Sequence, residues 1–169
     1  RQLMIAHNPE TVYFSGAPAL QRVTVWAGGS GSSYDSLDKN RYLLHSPEPA
    51  ILDAGACDLA AEYMATGRHL GPHKILTPHA AELERFLRIV HELAPETWKK
   101  HLGDAIVPSR KDIDAEPFRW VRAASELSGA TVMLKGGYTL IAAPNGATYS
   151  VAGGSPWLAT AGSGDTLTG

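Results

Sequence analysis

The residues best suited to chemistry stand in Thr160-Ala-Gly-Ser-Gly-Asp-Thr-Leu-Thr-Gly169, where Gly162 and Gly164 precede Asp165 at the predicted start of a helix. Glycines tolerate positive φ and let backbone N–H groups approach a ligand, and a helix N-terminus adds partial positive charge that suits phosphate. An acid beside such a cradle repels the anion unless it has separate work. Accepting the proton of a hydroxyl that attacks a phosphoryl group is work that fits. Gly-Ser-Gly-Asp also reads as a plain turn with Asp165 as N-cap, and short glycine motifs recur by chance. The spacing alone leaves both readings open.

Four other places carry polar or glycine chemistry where a predicted strand ends. Arg22–Ala27 empties into Gly28-Gly-Ser-Gly-Ser-Ser33, which holds Gly29 and Gly31. Ala50-Ile-Leu-Asp53 ends in a carboxylate. Lys74-Ile-Leu-Thr77 is followed by Pro78, His79 and Glu82. Thr131-Val-Met-Leu134 runs into Lys135-Gly136-Gly137-Tyr138-Thr139. Each alone is weak: a strand-end Lys is usually a solvated charge, and a His after Pro is usually a locally capped helix residue. Together with Asp165 they line one rim, and in open α/β sheets ligands bind at the carboxyl ends of the strands.

The elements that must position these residues alternate along the chain. Leu3 to Ala6 and Arg22 to Ala27 are short β-type runs, Tyr34 to His45 predicts a helix, and Pro47 and Pro49 break it. Asp58 to Thr66 predicts a helix stopped by Gly67. After the strand at 74–77, Pro78 suits a first helical turn, and Leu83, Phe86, Leu87 and Val90 form a stripe at helical spacing. From His91 to Glu116 periodicity fades into prolines, Gly103 and charges, which predicts an excursion from the core. Pro117 opens a helix carrying Trp120, Ala123, Ala124 and Leu127, closed by Gly129. Thr139 to Ala143 and Ala147 to Val151 flank Pro144-Asn-Gly146, a strong hairpin signal. The alternation predicts an α/β fold with a mainly parallel sheet covered on both faces.

Composition narrows the function classes. The 169 residues, 44% of them hydrophobic, can bury one substantial core, so residues 1–169 are expected to form a single domain. With 15 basic and 17 acidic residues and no basic block interleaved with aromatics, the footprint of a nucleic-acid binder is missing. The single cysteine, Cys57, excludes an internal disulfide framework and a Cys-rich zinc site, and fits a reducing cytoplasm. No apolar run approaches the about 18 to 20 residues that span a bilayer, so no membrane partner is expected.

The stretches Ile75-Leu-Thr-Pro-His-Ala-Ala-Glu-Leu83, Val132-Met-Leu-Lys-Gly-Gly-Tyr-Thr-Leu-Ile-Ala-Ala-Pro-Asn-Gly146 and Ser155-Pro-Trp-Leu-Ala-Thr-Ala-Gly-Ser-Gly-Asp-Thr-Leu-Thr-Gly169 resemble the ATP/ADP-dependent NAD(P)HX dehydratases. These form a carbohydrate-kinase-like family within the ribokinase fold, a three-layer α/β/α architecture. The resemblance extends more loosely from about residue 22 onward, and the order and spacing of the three motifs favour this family over other ribokinase-like kinases. It implies repair of hydrated NADH or NADPH: ADP or ATP phosphorylates the added ring hydroxyl, and phosphate then leaves. It further implies that Asp165 activates that hydroxyl and that Gly162, Gly164 and Lys135 through Thr139 hold the nucleotide. His79, with Gly29 and Gly31, would contact the hydrated dinucleotide, and Glu82 would help to organise Mg²⁺. A homo-oligomer is expected.

The chain departs from the family pattern at three places. Ala80-Ala81 stand where the family has Pro-Gly, Gly28-Gly-Ser-Gly-Ser where it has Gly-Pro-Gly-Leu-Gly, and Asp53-Ala-Gly-Ala-Cys57 where it has Asp-Ala-Asp-Ala-Leu. The domain is expected to be incomplete at both ends. Two alternatives stand beside the dehydratase: a small-molecule kinase that stops at a phosphorylated product, and a nucleotide-binding module without catalysis.

Overall fold

A computed structural model describes residues 3–5, 11–14, 23–28 and 44–152, with side chains from 44 to 151. Its eight strands lie side by side in chain order: β1 (Leu3–Ile5), β2 (Thr11–Phe14), β3 (Val23–Gly28), β4 (Ala50–Ala54), β5 (Lys74–Leu76), β6 (Thr131–Leu134), β7 (Tyr138–Ala142) and β8 (Thr148–Ala152). The centre, β3 to β6, is parallel, and antiparallel pairs flank it on both sides. The α/β expectation holds, with the parallel character confined to those four strands. β2 was not expected: four residues are too few to reveal a period of two. The β7–β8 hairpin forms as Asn145-Gly146 predicts, with Gly146 at φ 85 and Asn145 Oδ1 accepting the Ala147 N–H at 3.0 Å.

Parallel neighbours need crossovers, and those from β4 to β5 and from β5 to β6 are helical. Helix α1 (Gly55–Met64) joins β4 to β5, and α2 (Ala80–Leu93), α3 (Pro95–Leu102), α4 (Arg110–Ala115) and α5 (Pro117–Ser128) lie between β5 and β6. One face of the sheet, carrying Ala50, Leu52, Leu76, Val132, Leu134, Leu140 and Ala142 in register, is buried under this helical layer. The stripe Leu83, Phe86, Leu87 and Val90 is buried from α2, as its spacing predicts. Helix α5 begins at Pro117 and ends at Gly129, whose left-handed φ of 67 suits a residue without Cβ. The opposite face carries Ile51, Ile75, Met133 and Ile141, and a second covering layer is not among the described residues.

The segment 91–116 is no excursion. Helices α3 and α4 fold back onto α2 and α5, burying Trp98 and Ile113 in the same core. The local pattern hides this, because each helix is too short to show a stripe and contributes one large side chain. Trp98 is further held by its indole N–H, which donates to the Ala105 carbonyl at 3.0 Å. Lys74 is also unlike its sequence surroundings: it is fully buried, and its ammonium donates to the main-chain carbonyls of Ser46 (2.9 Å) and Glu48. Burial pushes its pKa down, with Glu48 pulling the other way.

Candidate functional site

Three adjacent parallel strands deliver their last residues to one place. Asp53 lies at the carboxyl end of β4 and is 3% exposed. Thr77, buried beside it just beyond β5, is fixed by its own N–H donating to the Leu52 carbonyl at 3.1 Å. Its hydroxyl donates to Asp53 Oδ1 at 2.8 Å. Lys135 follows β6, and its N–H donates to the Pro78 carbonyl at 2.8 Å, so a parallel bridge sets it beside His79. From there the Lys135 ammonium donates to the same Asp53 Oδ1 at 2.7 Å, and Glu82 Oε2 stands 3.9 Å away. Asp53, Thr77, His79, Glu82 and Lys135 are therefore one cluster.

His79 is the N-cap of α2. Its Nδ1 accepts the Glu82 N–H at 3.2 Å, while Glu82 Oε2 accepts the His79 N–H at 2.9 Å, a reciprocal capping box. The ring thus carries its proton on Nε2, which lies 3.4 Å from Glu82 Oε1. Pro78 is not in the first helical turn, as its position suggested. It precedes the cap, and its carbonyl is spent on Lys135. Ala80 and Ala81, the departure from the family's Pro-Gly, are the first two residues of the helix, where alanine is a strong former. The locally capped reading of His79 and a ligand role are compatible, because its side chain remains 54% exposed.

The electrostatics follow from the count. Two carboxylates and one ammonium leave the cluster one negative charge, so an anionic ligand is received well only if a cation accompanies it. Among the described residues no group of three or more His, Cys, Asp or Glu could hold a metal ion unaided. Cys57, on the first turn of α1, donates from Sγ to the Leu52 carbonyl at 3.4 Å. Burial pushes its thiol well up, and Glu82 and Asp53 push the same way, so it stays a protonated packing residue.

Strain marks the same corner. β4 passes into α1 with no intervening loop, and Ala54 takes φ 48 and ψ -123 to make the turn. It is the one non-glycine with positive φ among the described residues. Such a conformation costs about 1 to 3 kcal/mol and persists only where surrounding contacts enforce it. Asp53 immediately before it and the buried α1 after it supply them. Gly136 and Gly137 follow Lys135, Tyr138 is exposed, and Thr139 lies half-buried in β7. Gly29, Gly31, Gly162, Gly164 and Asp165 lie outside the described residues. Asp53 and Thr77 were visible as strand-end polar residues but had no assigned role; only their partners supply one.

The sequence pattern of the NAD(P)H-hydrate dehydratases matches residues 2–169. The bifunctional NAD(P)H-hydrate repair enzyme Nnr of Mycobacterium tuberculosis is 32% identical over 170 residues, covering 98% of this chain and 31% of its own. Among solved structures, the chain is similar to the ADP/ATP-dependent NAD(P)H-hydrate dehydratase from Bacillus subtilis, co-crystallised with ATP/Mg²⁺. That similarity has a TM-score of 0.63 at 25% identity, over 91% of this chain and 47% of that one. A ribokinase-like superfamily protein from Enterococcus faecalis shares the fold, with a TM-score of 0.58 at 20% identity over 86% of this chain and 44% of its own. The chain thus spans less than a third of the repair enzyme and less than half of either solved chain.

Proposed function

The chain belongs to the NAD(P)H-hydrate dehydratase family, and from that premise we propose that it returns hydrated NADH or NADPH to the reduced dinucleotide, using ADP or ATP. The terminal phosphoryl group passes to the hydroxyl on the hydrated nicotinamide ring. Phosphate then leaves with that oxygen, a ring proton is lost, and the double bond is restored. Asp165 takes the proton from the attacking hydroxyl, and the N–H groups at Gly162 and Gly164 receive the phosphates. Lys135 to Thr139 line the nucleotide, and His79, with Gly29 and Gly31, contacts the hydrated dinucleotide.

The observation that carries this reading is the meeting of His79, Glu82 and Lys135 on one rim, joined by the His79–Lys135 bridge and the 3.9 Å approach of Lys135 to Glu82. The cluster's residual negative charge fits a nucleotide that arrives with Mg²⁺. The ion neutralises phosphate charge when bound, and Glu82 would reach it through water. We take the reaction to be cytoplasmic, in keeping with the single cysteine Cys57, and the protein to act as a homo-oligomer.

The test is turnover by the full polypeptide that contains these residues. Hydrated NADH or NADPH is supplied with Mg²⁺ and either ADP or ATP, and reduced dinucleotide and phosphate are measured together. Equal amounts of both products are expected. A stable phosphorylated dinucleotide or another phosphorylated small molecule would make the protein a kinase. Nucleotide binding with no product would make it a binding module.

A further inference from the structure

Lys135 has a long flexible stem, yet at the end of β6 its ammonium is held from below. Asp53 Oδ1 accepts from it at 2.7 Å, and that carboxylate has almost no contact with solvent, its side chain being 4% exposed. Asp53 is fixed in turn by the Thr77 hydroxyl, and Thr77 by its N–H on the Leu52 carbonyl. The chain of contacts runs from the β4 backbone through Thr77 and Asp53 to Lys135, across 82 positions of sequence. Glu82 offers a competing partner at 3.9 Å, with its side chain 14% exposed. An ammonium has three donors and Asp53 takes one, so two remain for an anion provided Glu82 does not capture the group.

We propose that Asp53 is a positioning residue, which holds the Lys135 ammonium at the end of β6 for the phosphates of the nucleotide and keeps it from pairing with Glu82. This rests on the reading of Lys135 as a nucleotide contact. Asp53 does not touch the ligand; it acts through Lys135. Its charge alone would repel phosphate, so positioning and repulsion predict opposite outcomes when that charge is removed.

The experiment is a double-mutant cycle on the full polypeptide, with Asp53→Asn, Lys135→Met and both together, read as calorimetric affinity for Mg·ATP and Mg·ADP and as steady-state constants. Asparagine keeps the shape and still accepts from Thr77, but it loses the charge that outcompetes Glu82. Asp53→Asn is expected to weaken nucleotide binding about tenfold, the loss of one well-placed charge-assisted hydrogen bond. KM for hydrated NADH should stay unchanged, and the double variant should bind no worse than Lys135→Met alone. Thr77→Ser should retain wild-type nucleotide affinity, and Thr77→Val should lose part of it. This pair decides the matter if Asp53→Asn fails to melt cooperatively. Unchanged or tighter binding in Asp53→Asn, or losses that multiply in the double variant, would overturn the proposal. Wild-type protein that binds nucleotide without dehydrating hydrated NADH would remove the functional reading and leave the cycle decisive. Wild-type protein that binds neither nucleotide would remove both.

Discussion

His79 has two tasks that a single pair of substitutions can separate. As N-cap of α2 it accepts the Glu82 N–H at 3.2 Å, and the return bond from its own N–H to Glu82 Oε2, at 2.9 Å, does not depend on its side chain. Alanine therefore removes one cap bond and leaves the other. The loss at an N-cap is about 1 kcal/mol, which lowers the melting temperature of a chain of this size by roughly 2 to 4 °C. Asparagine is among the best N-caps, so His79→Asn should melt within about 1 °C of wild type. Neither residue replaces the exposed imidazole, so both variants should show a raised KM for hydrated NADH, about tenfold for one lost hydrogen bond. Affinity for Mg·ATP should be unchanged in both. Thermal melting and steady-state kinetics on the same three preparations read the two tasks independently. A wild-type melting temperature in His79→Ala would refute the capping box, and a wild-type KM in His79→Asn would leave His79 with the cap as its whole role.

Asp165→Asn should abolish turnover while nucleotide affinity survives, because the amide keeps the shape but takes no proton; comparable rates would remove Asp165 from the mechanism. Trp98→Ala should cost about 3 to 5 kcal/mol in denaturant unfolding, the range for a buried large side chain, whereas a surface excursion at 91–116 would lose almost nothing. Ala54→Gly should raise stability by about 1 kcal/mol, since relief of the positive-φ strain exceeds the greater chain entropy of glycine; a lower melting temperature would show the turn to be unstrained. Burial first, then Lys100 and His69, hold the His101 imidazole below the ordinary histidine range, with Glu126 opposing. The unfolded chain therefore binds this proton at a higher pH than the native one, and stability falls as pH drops below about 6.5. His101→Phe should flatten that acid limb, and an unchanged slope would place its cause elsewhere.

Much of this arrangement was legible because its signals are local. The α2 stripe recurs at helical spacing, Asn145-Gly146 suits the left-handed turn, and Gly129 closes α5 for the same steric reason. The strand ends were legible because an apolar run that stops at a polar residue marks the rim of a parallel sheet. What escaped was short or non-local. β2 has four residues, α3 and α4 each bury one large side chain, and Pro78 looked like a helix start because only Lys135, far along the chain, claims its carbonyl. The burial of Lys74 has no local signal either, because the carbonyls of Ser46 and Glu48 that receive its ammonium come from a different part of the chain.

By itself, then, the sequence determined the family, the α/β alternation and which residue types reach the rim, since each is written in motifs, periods and turns that span a few residues. Only the tertiary structure decided whom those residues meet. Lys135 reads as a solvated charge or a nucleotide contact, and nothing within reach along the chain could have named Asp53 and Thr77 as its supports. That pairing exists because β4, β5 and β6 lie in parallel register, so their carboxyl ends converge, and because burial makes an unpaired charge there costly.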